Sequence, residues 1–79
     1  MRAHVEFTVE PFVEGTPGSH VTAAVDAVRS SGLEPVMEPF GTTVEGDRAA
    51  VISAIAAALD AAADSGADRV SMQFTFLDD

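Results

Sequence analysis

The chain has 79 residues, with thirteen acidic residues against four arginines and neither lysine nor cysteine, for a formal net charge of −9. This composition excludes disulfides, thiolate metal sites and cysteine nucleophiles, and it repels nucleic acid and anionic membranes. A single small domain spanning residues 1–79 is expected; at this size roughly 60% of the unfolded surface is buried, so self-association is a natural source of added stability.

The acidity attracts cationic ligands, weakly through physiological salt, and solubility alone also accounts for it. Met1 leads directly into a charged, alternating segment rather than a signal peptide, and no long apolar run follows. Together with the absence of cysteine this predicts a cytoplasmic, soluble protein.

Ala3 to Glu10 alternates strictly, with Ala3, Val5, Phe7 and Val9 on one side and His4, Glu6, Thr8 and Glu10 on the other. That is the period of a half-buried strand. Pro11 to Gly18 is rich in glycine and proline and reads as a loop. It lacks the glycine spacing and the lysine of a phosphate-binding loop. Ser19 is the expected N-cap of a first helix, whose apolar face is Val21, Val25 and Val28 and whose end lies at Ser30-Ser31-Gly32. Leu33 to Phe40 carries Pro35 and Pro39, which restrict any strand there to a sheet edge.

Gly41 turns the chain into a short third strand, Thr42 to Glu45. Asp47 is placed to cap a second helix, with an expected apolar stripe of Val51, Ile52, Ile55, Leu59 and Ala62. Ser65-Gly66 ends it. Asp68 to Phe76 alternates again, with Val70, Met72, Phe74 and Phe76 on one side and Arg69, Ser71, Gln73 and Thr75 on the other.

The order β-α-β-β-α-β, with helix-length spacers that imply right-handed crossovers, predicts an α+β ferredoxin-like fold. Four antiparallel strands in the order 4-1-3-2 carry both helices on one face. The proline-bearing strand then falls at an edge, as its prolines require. The other face is left open, and it collects His4, Glu6, Thr8, Glu10, Thr43, Glu45, Gln73 and Thr75.

The run G-L-E-P-V-M-E-P-F-G-T-T-V-E-G-D, Gly32–Asp47, resembles the signature of the small thiamine-binding protein family. The matching features are a first helix ending in Ser31-Gly32-Leu33, a strand ending near Pro39, and then Gly41-Thr42-Thr43-Val44-Glu45-Gly46. Gly66–Val70 and the opening strand's Val9-Glu10-Pro11 extend the likeness over nearly the whole chain. The resemblance implies a ferredoxin-like fold and assembly into homodimers or homotetramers through the sheets. It also implies binding of thiamine or a related hydroxymethylpyrimidine without chemical conversion. The family often continues past the last strand with a basic tail, where this sequence reads Asp78-Asp79.

Thiamine is a cation carrying an aminopyrimidine ring, and a pocket for it wants a carboxylate, a few hydrogen-bonding groups and an aromatic wall. Thr43 and Glu45 are the principal candidates, with Thr42 near the turn and Thr8 and Glu10 on the neighbouring strand. Phe40 and Phe12, near strand ends, are candidates for stacking. Phe7, Phe74 and Phe76 read as core. His20 opens the first helix and is a further ligand candidate, a solvated first-turn histidine being the ordinary alternative. No metal site is expected, because His4 and Glu6 supply too few ligands. No enzyme is expected either, since no nucleophile stands beside a base. The alternative to a ligand-binding module is a structural oligomer whose open sheet is only an interface.

Overall fold

The computed structural model describes residues 1–11 and 18–78. Phe12, and with it most of the glycine-rich loop, lies outside the described residues. The elements run β1 (Arg2–Glu10), α1 (Ser19–Ser30), β2 (Val36–Glu38), β3 (Gly41–Asp47), α2 (Arg48–Asp64) and β4 (Arg69–Leu77). The strands form one antiparallel sheet in the order β2-β3-β1-β4. This is the expected ferredoxin-like order read from the opposite edge.

Strand alternation sorts the sheet into two chemistries. In β1, Ala3, Val5, Phe7 and Val9 are all buried under the helices. Their cross-strand partners continue the same face: Val5 pairs with Val44 on one side and Phe74 on the other, and Phe7 with Thr42 and Met72. α1 contributes Val21, Ala24, Val25 and Val28, the i, i+3, i+4, i+7 pattern of one helix face. α2 contributes Val51, Ala54, Ile55, Ala58 and Ala62. The buried alanines keep the helices close to each other and to the sheet.

Several local expectations are corrected. α1 begins at Ser19 rather than after it: Gly18 is the N-cap, and its carbonyl accepts from the amides of Val21 and Thr22, both at 3.1 Å. β2 shrinks to three exposed residues, because Pro35 and Pro39 flank it and neither has an amide to donate. β3 is longer than expected, reaching Asp47. Ile52 and Leu59 of the expected α2 stripe are half exposed, at 50% and 40%. At 100° per residue they lie about 80–100° around the helix from Val51, beyond the face that meets the sheet, and alanines fill that face instead. Phe76, read as core from its alternation, is 60% exposed. It sits on the outermost strand, at a point the helices do not cover.

α2 starts where expected. The Asp47 carboxylate accepts from the Ala49 amide at 3.2 Å, satisfying one orphan donor of the first turn. Asp47→Ala is expected to lower stability by about 1 kcal/mol, read as a reduced denaturation midpoint with an unchanged denaturant slope. Both helices end in glycines at positive φ, Gly32 at 92° and Gly66 at 95°, a conformation that a Cβ would strain.

Candidate functional site on the open face of the sheet

The face away from the helices is built from the even-numbered residues of β1 and the odd-numbered residues of β3 and β4. Register places Thr43 and Gln73 on either side of Glu6, and Glu45 and Thr75 on either side of His4. Thr43 and Glu45 therefore stand together on the open face. Thr42 does not join them. It is 3% exposed and lies beneath the helices with Val44, as the alternation of β3 requires.

The candidate carboxylates have different surroundings. Glu45 accepts from the Arg2 guanidinium at 3.3 Å and from His4 Nδ1 at 3.2 Å. These bonds, Arg2's first and His4's second, hold its pKa below the ordinary value of 4.5. Glu10 accepts from Arg69 at 2.7 and 3.2 Å, and from the Ser71 hydroxyl at 2.8 Å. The hydrogen bonds from Arg69 and then Ser71 hold its pKa below 4.5 as well. Both groups are already committed to partners on neighbouring strands.

The sign of the resulting pH dependence follows from these depressed values. The contribution of Glu10 to stability is complete above its unfolded pKa, near 4.5, and disappears as pH falls through the lowered folded value. Thermal unfolding followed from neutral pH to pH ~3 is expected to show a larger acid-side loss in the parent than in Glu10→Gln. An identical pH profile in the two proteins would refute this. The comparison cancels the general relief of self-repulsion as the other carboxylates protonate.

Toward the Glu10 end of the open face, away from Glu45, the turn after β2 comes against β1. The Thr8 hydroxyl donates to the Phe40 carbonyl at 2.9 Å. Gly41 permits this approach: a Cβ there would lie 2.9 Å from the Phe7 carbonyl oxygen and 3.1 Å from Thr8 Oγ1. The Phe40 ring is 68% exposed and borders a shallow groove of about 380 Å³. The other lining residues are Glu6, Thr8, Ser71, Met72 and Gln73. The structure thus brings Thr8 and Phe40 together with three groups outside the candidate set, Glu6, Ser71 and Gln73. All three are on the open face by alternation; the signal that singles them out is cross-strand register, which shows which acids an arginine has already engaged. His20 is directed elsewhere, its Nε2–H donating to the Pro11 carbonyl at 2.6 Å. No cluster of three or more potential metal ligands occurs among the described residues. No helix among them is long and apolar enough to cross a membrane.

Comparison with known proteins gives this arrangement a family. The profile of the thiamine-binding protein family matches residues 5–78. The chain belongs to that family. A UPF0045 protein of Synechocystis sp. is 31% identical over 77 residues, covering 96% of this chain; the chain spans 64% of that relative's length. Among solved structures, a domain of unknown function, DUF77, from Bacillus cereus is 25% identical with a TM-score of 0.72, covering 96% of this chain and 76% of the other. A candidate thiamine biosynthesis/salvage protein of Thermotoga maritima shares the fold at a TM-score of 0.68 and 24% identity, covering 95% of this chain and 81% of the other. The G-T-x-x-E-G run of this thiamine-binding family member has a structural account at every named position. Gly41 allows the turn to meet β1, Thr42 is buried, Thr43 faces the open side, Glu45 ties β3 to Arg2 and His4, and Gly46 lies against Leu33.

Proposed function

We propose that this protein binds thiamine or a related hydroxymethylpyrimidine, without transforming it, on the open face of its sheet. The observation that carries this reading is the family match across residues 5–78, joined to a polar groove on that face with an exposed aromatic ring at its rim. Phe40 supplies a wall for a flat ring, and Thr8, Thr43 and Gln73 supply hydrogen-bonding groups. Glu10 and Glu45 flank this region, each held by an arginine. A non-catalytic role is favoured by the engagement of both histidines, His4 with Glu45 and His20 with the Pro11 carbonyl.

A thermal-shift series with thiamine, hydroxymethylpyrimidine and unrelated organic cations tests this. At a ligand concentration of one hundred times Kd, binding stabilises by about 2.7 kcal/mol, a rise in Tm of roughly 10–20 °C for a domain of this size. Equal shifts for every cation would reduce the effect to charge attraction.

Self-association is part of the proposal, and a separate observation favours it. Ile52, Leu59, Phe74 and Phe76 line an apolar concavity of about 460 Å³ between α2 and β4. β4 itself is a nine-residue edge strand with neither prolines nor lysines to block pairing. A homodimer or homotetramer that uses this flank would cover it. Phe76→Ser combined with Leu59→Ser is expected to shift the mass in solution, measured by sedimentation, toward the monomer. If the assembly forms with no binding of any ligand, the structural-oligomer reading stands in place of the ligand-binding one.

A further inference from the structure

The structure assigns Glu6 as the carboxylate that recognises a cationic ligand in the open-face groove, and it makes that groove selective for an amino-bearing aromatic cation over its phosphate esters. This rests on the reading of the open face as a ligand site, and it names the group and the ligand chemistry within it.

The assignment comes from how the charges on this face are used. β1 and β3 place four carboxylates there, Glu6, Glu10, Glu45 and Asp47, and β2 adds Glu38 beside Gly41; Asp47 is spent on the cap of α2, and Glu38 stands on the edge strand outside the groove lining. Glu10 is neutralised by Arg69 and Glu45 by Arg2. Glu6 forms no ion pair or hydrogen bond among the described residues, and its cross-strand neighbours, Thr43 and Gln73, are uncharged. Among the described residues it is also the only carboxylate lining the groove. Of the remaining arginines, Arg29 pairs with Asp26 and Glu34 around α1, and Arg48 opens α2 on the other layer. Among the described residues that line it, the groove thus carries one uncompensated negative charge, that of Glu6, and no cation.

The hydrogen-bonding groups point to the same ligand. The Thr8 hydroxyl spends its proton on the Phe40 carbonyl, and the Ser71 hydroxyl spends its proton on Glu10. Each hydroxyl then presents acceptor lone pairs to the groove. With Glu6, the lining is dominated by acceptors, and the Gln73 amide is its side-chain donor. A ligand that supplies N–H donors and positive charge complements such a surface. The exposed Phe40 ring adds a face for a flat cation. A phosphate ester meets the reverse: acceptors facing acceptors, beside Glu6, in a protein of net charge −9.

The full chain is titrated by calorimetry with thiamine, thiamine monophosphate and 4-amino-1-methylpyridinium, at low and at physiological salt. The proteins are the parent, Glu6→Gln and, as a charge control on the solvent side of α2, Asp60→Asn. Glu6→Gln is expected to weaken thiamine about tenfold, and Asp60→Asn less than twofold. The monophosphate is expected to bind the parent at least ~10-fold more weakly than thiamine, with the gap narrowing in Glu6→Gln. Equal thiamine affinity in the parent and Glu6→Gln would overturn the assignment while leaving the ligand-binding reading intact. An equal loss in Asp60→Asn would overturn it too, by reducing the effect to the diffuse field of the protein. If thiamine fails to bind but the pyridinium cation binds in a Glu6-dependent way, Glu6 stands and the thiamine reading falls. If no probe binds the parent, both fall. Matching melting temperatures of the three unliganded proteins exclude a folding defect as the cause.

Discussion

Phe7→Ala is expected to cost about 3–5 kcal/mol, the largest loss from any single truncation in this fold. A 79-residue domain has a total stability of roughly 4–12 kcal/mol, so this variant loses much of its margin and populates unfolded chains under mild conditions. Phe7 is 2% exposed at the centre of β1, the inner strand paired on both sides. In register it stands between Thr42 and Met72, and it shares a lining with Ala24, Ile55 and Ala58, so both helices and three strands meet around it. Ala24 and Ala58, on the two helices, have only methyl groups, which cannot swing into the space a missing ring leaves. Phe76→Ala provides the contrast: at 60% exposure, that ring has little burial to lose in the monomer. Denaturant unfolding of the two variants checks both expectations. A Phe7→Ala protein within ~1 kcal/mol of the parent would mean that the core is not organised around this ring.

Gly41→Ala is expected to lose about 1–3 kcal/mol through overpacking and to weaken ligand binding in the same variant. The added Cβ would meet the Phe7 carbonyl oxygen at 2.9 Å, and that atom belongs to the backbone of an inner strand. Relief requires the β2–β3 turn to move away, taking the Phe40 carbonyl from the Thr8 hydroxyl and the Phe40 ring from the groove. Thr8→Val separates the two consequences. It removes the hydrogen bond without the clash and is expected to cost about 1 kcal/mol. Gly46→Ala is the matching control within the same motif: its Cβ would meet Leu33 Cδ2 at 3.1 Å, the free end of a side chain that can rotate. Its cost is therefore expected to be the smaller. Unfolding midpoints and thiamine titrations on all three variants read the two effects. A Gly41→Ala protein as stable as the parent would show that the turn is not pinned against β1.

These two residues mark different relations between pattern and structure. Phe7 as core follows from the alternation of β1, because a strand with one covered face buries every second residue. The same rule separates Thr42 from Thr43 and Glu45. Gly41 is marked in the sequence only as a turn residue; its contact with the Phe7 carbonyl is a property of strands brought together from 34 positions apart.

By itself, the amino-acid order determined the succession of elements, the ferredoxin-like topology, the buried sides of β1 and β3 and the cap at Asp47. Each of these is set by local periodicity or by a single residue's backbone chemistry. Tertiary structure alone decided which acids are spent: Glu45 on Arg2 and His4, Glu10 on Arg69, and Glu6, among the described residues, on none. It also decided that Ile52, Leu59 and Phe76 remain uncovered, since whether an apolar side chain is buried depends on the reach of a neighbouring element. Charge pairing and coverage are both relations between distant segments. They exist only once cross-strand register and helix placement bring those segments within a few ångströms of each other.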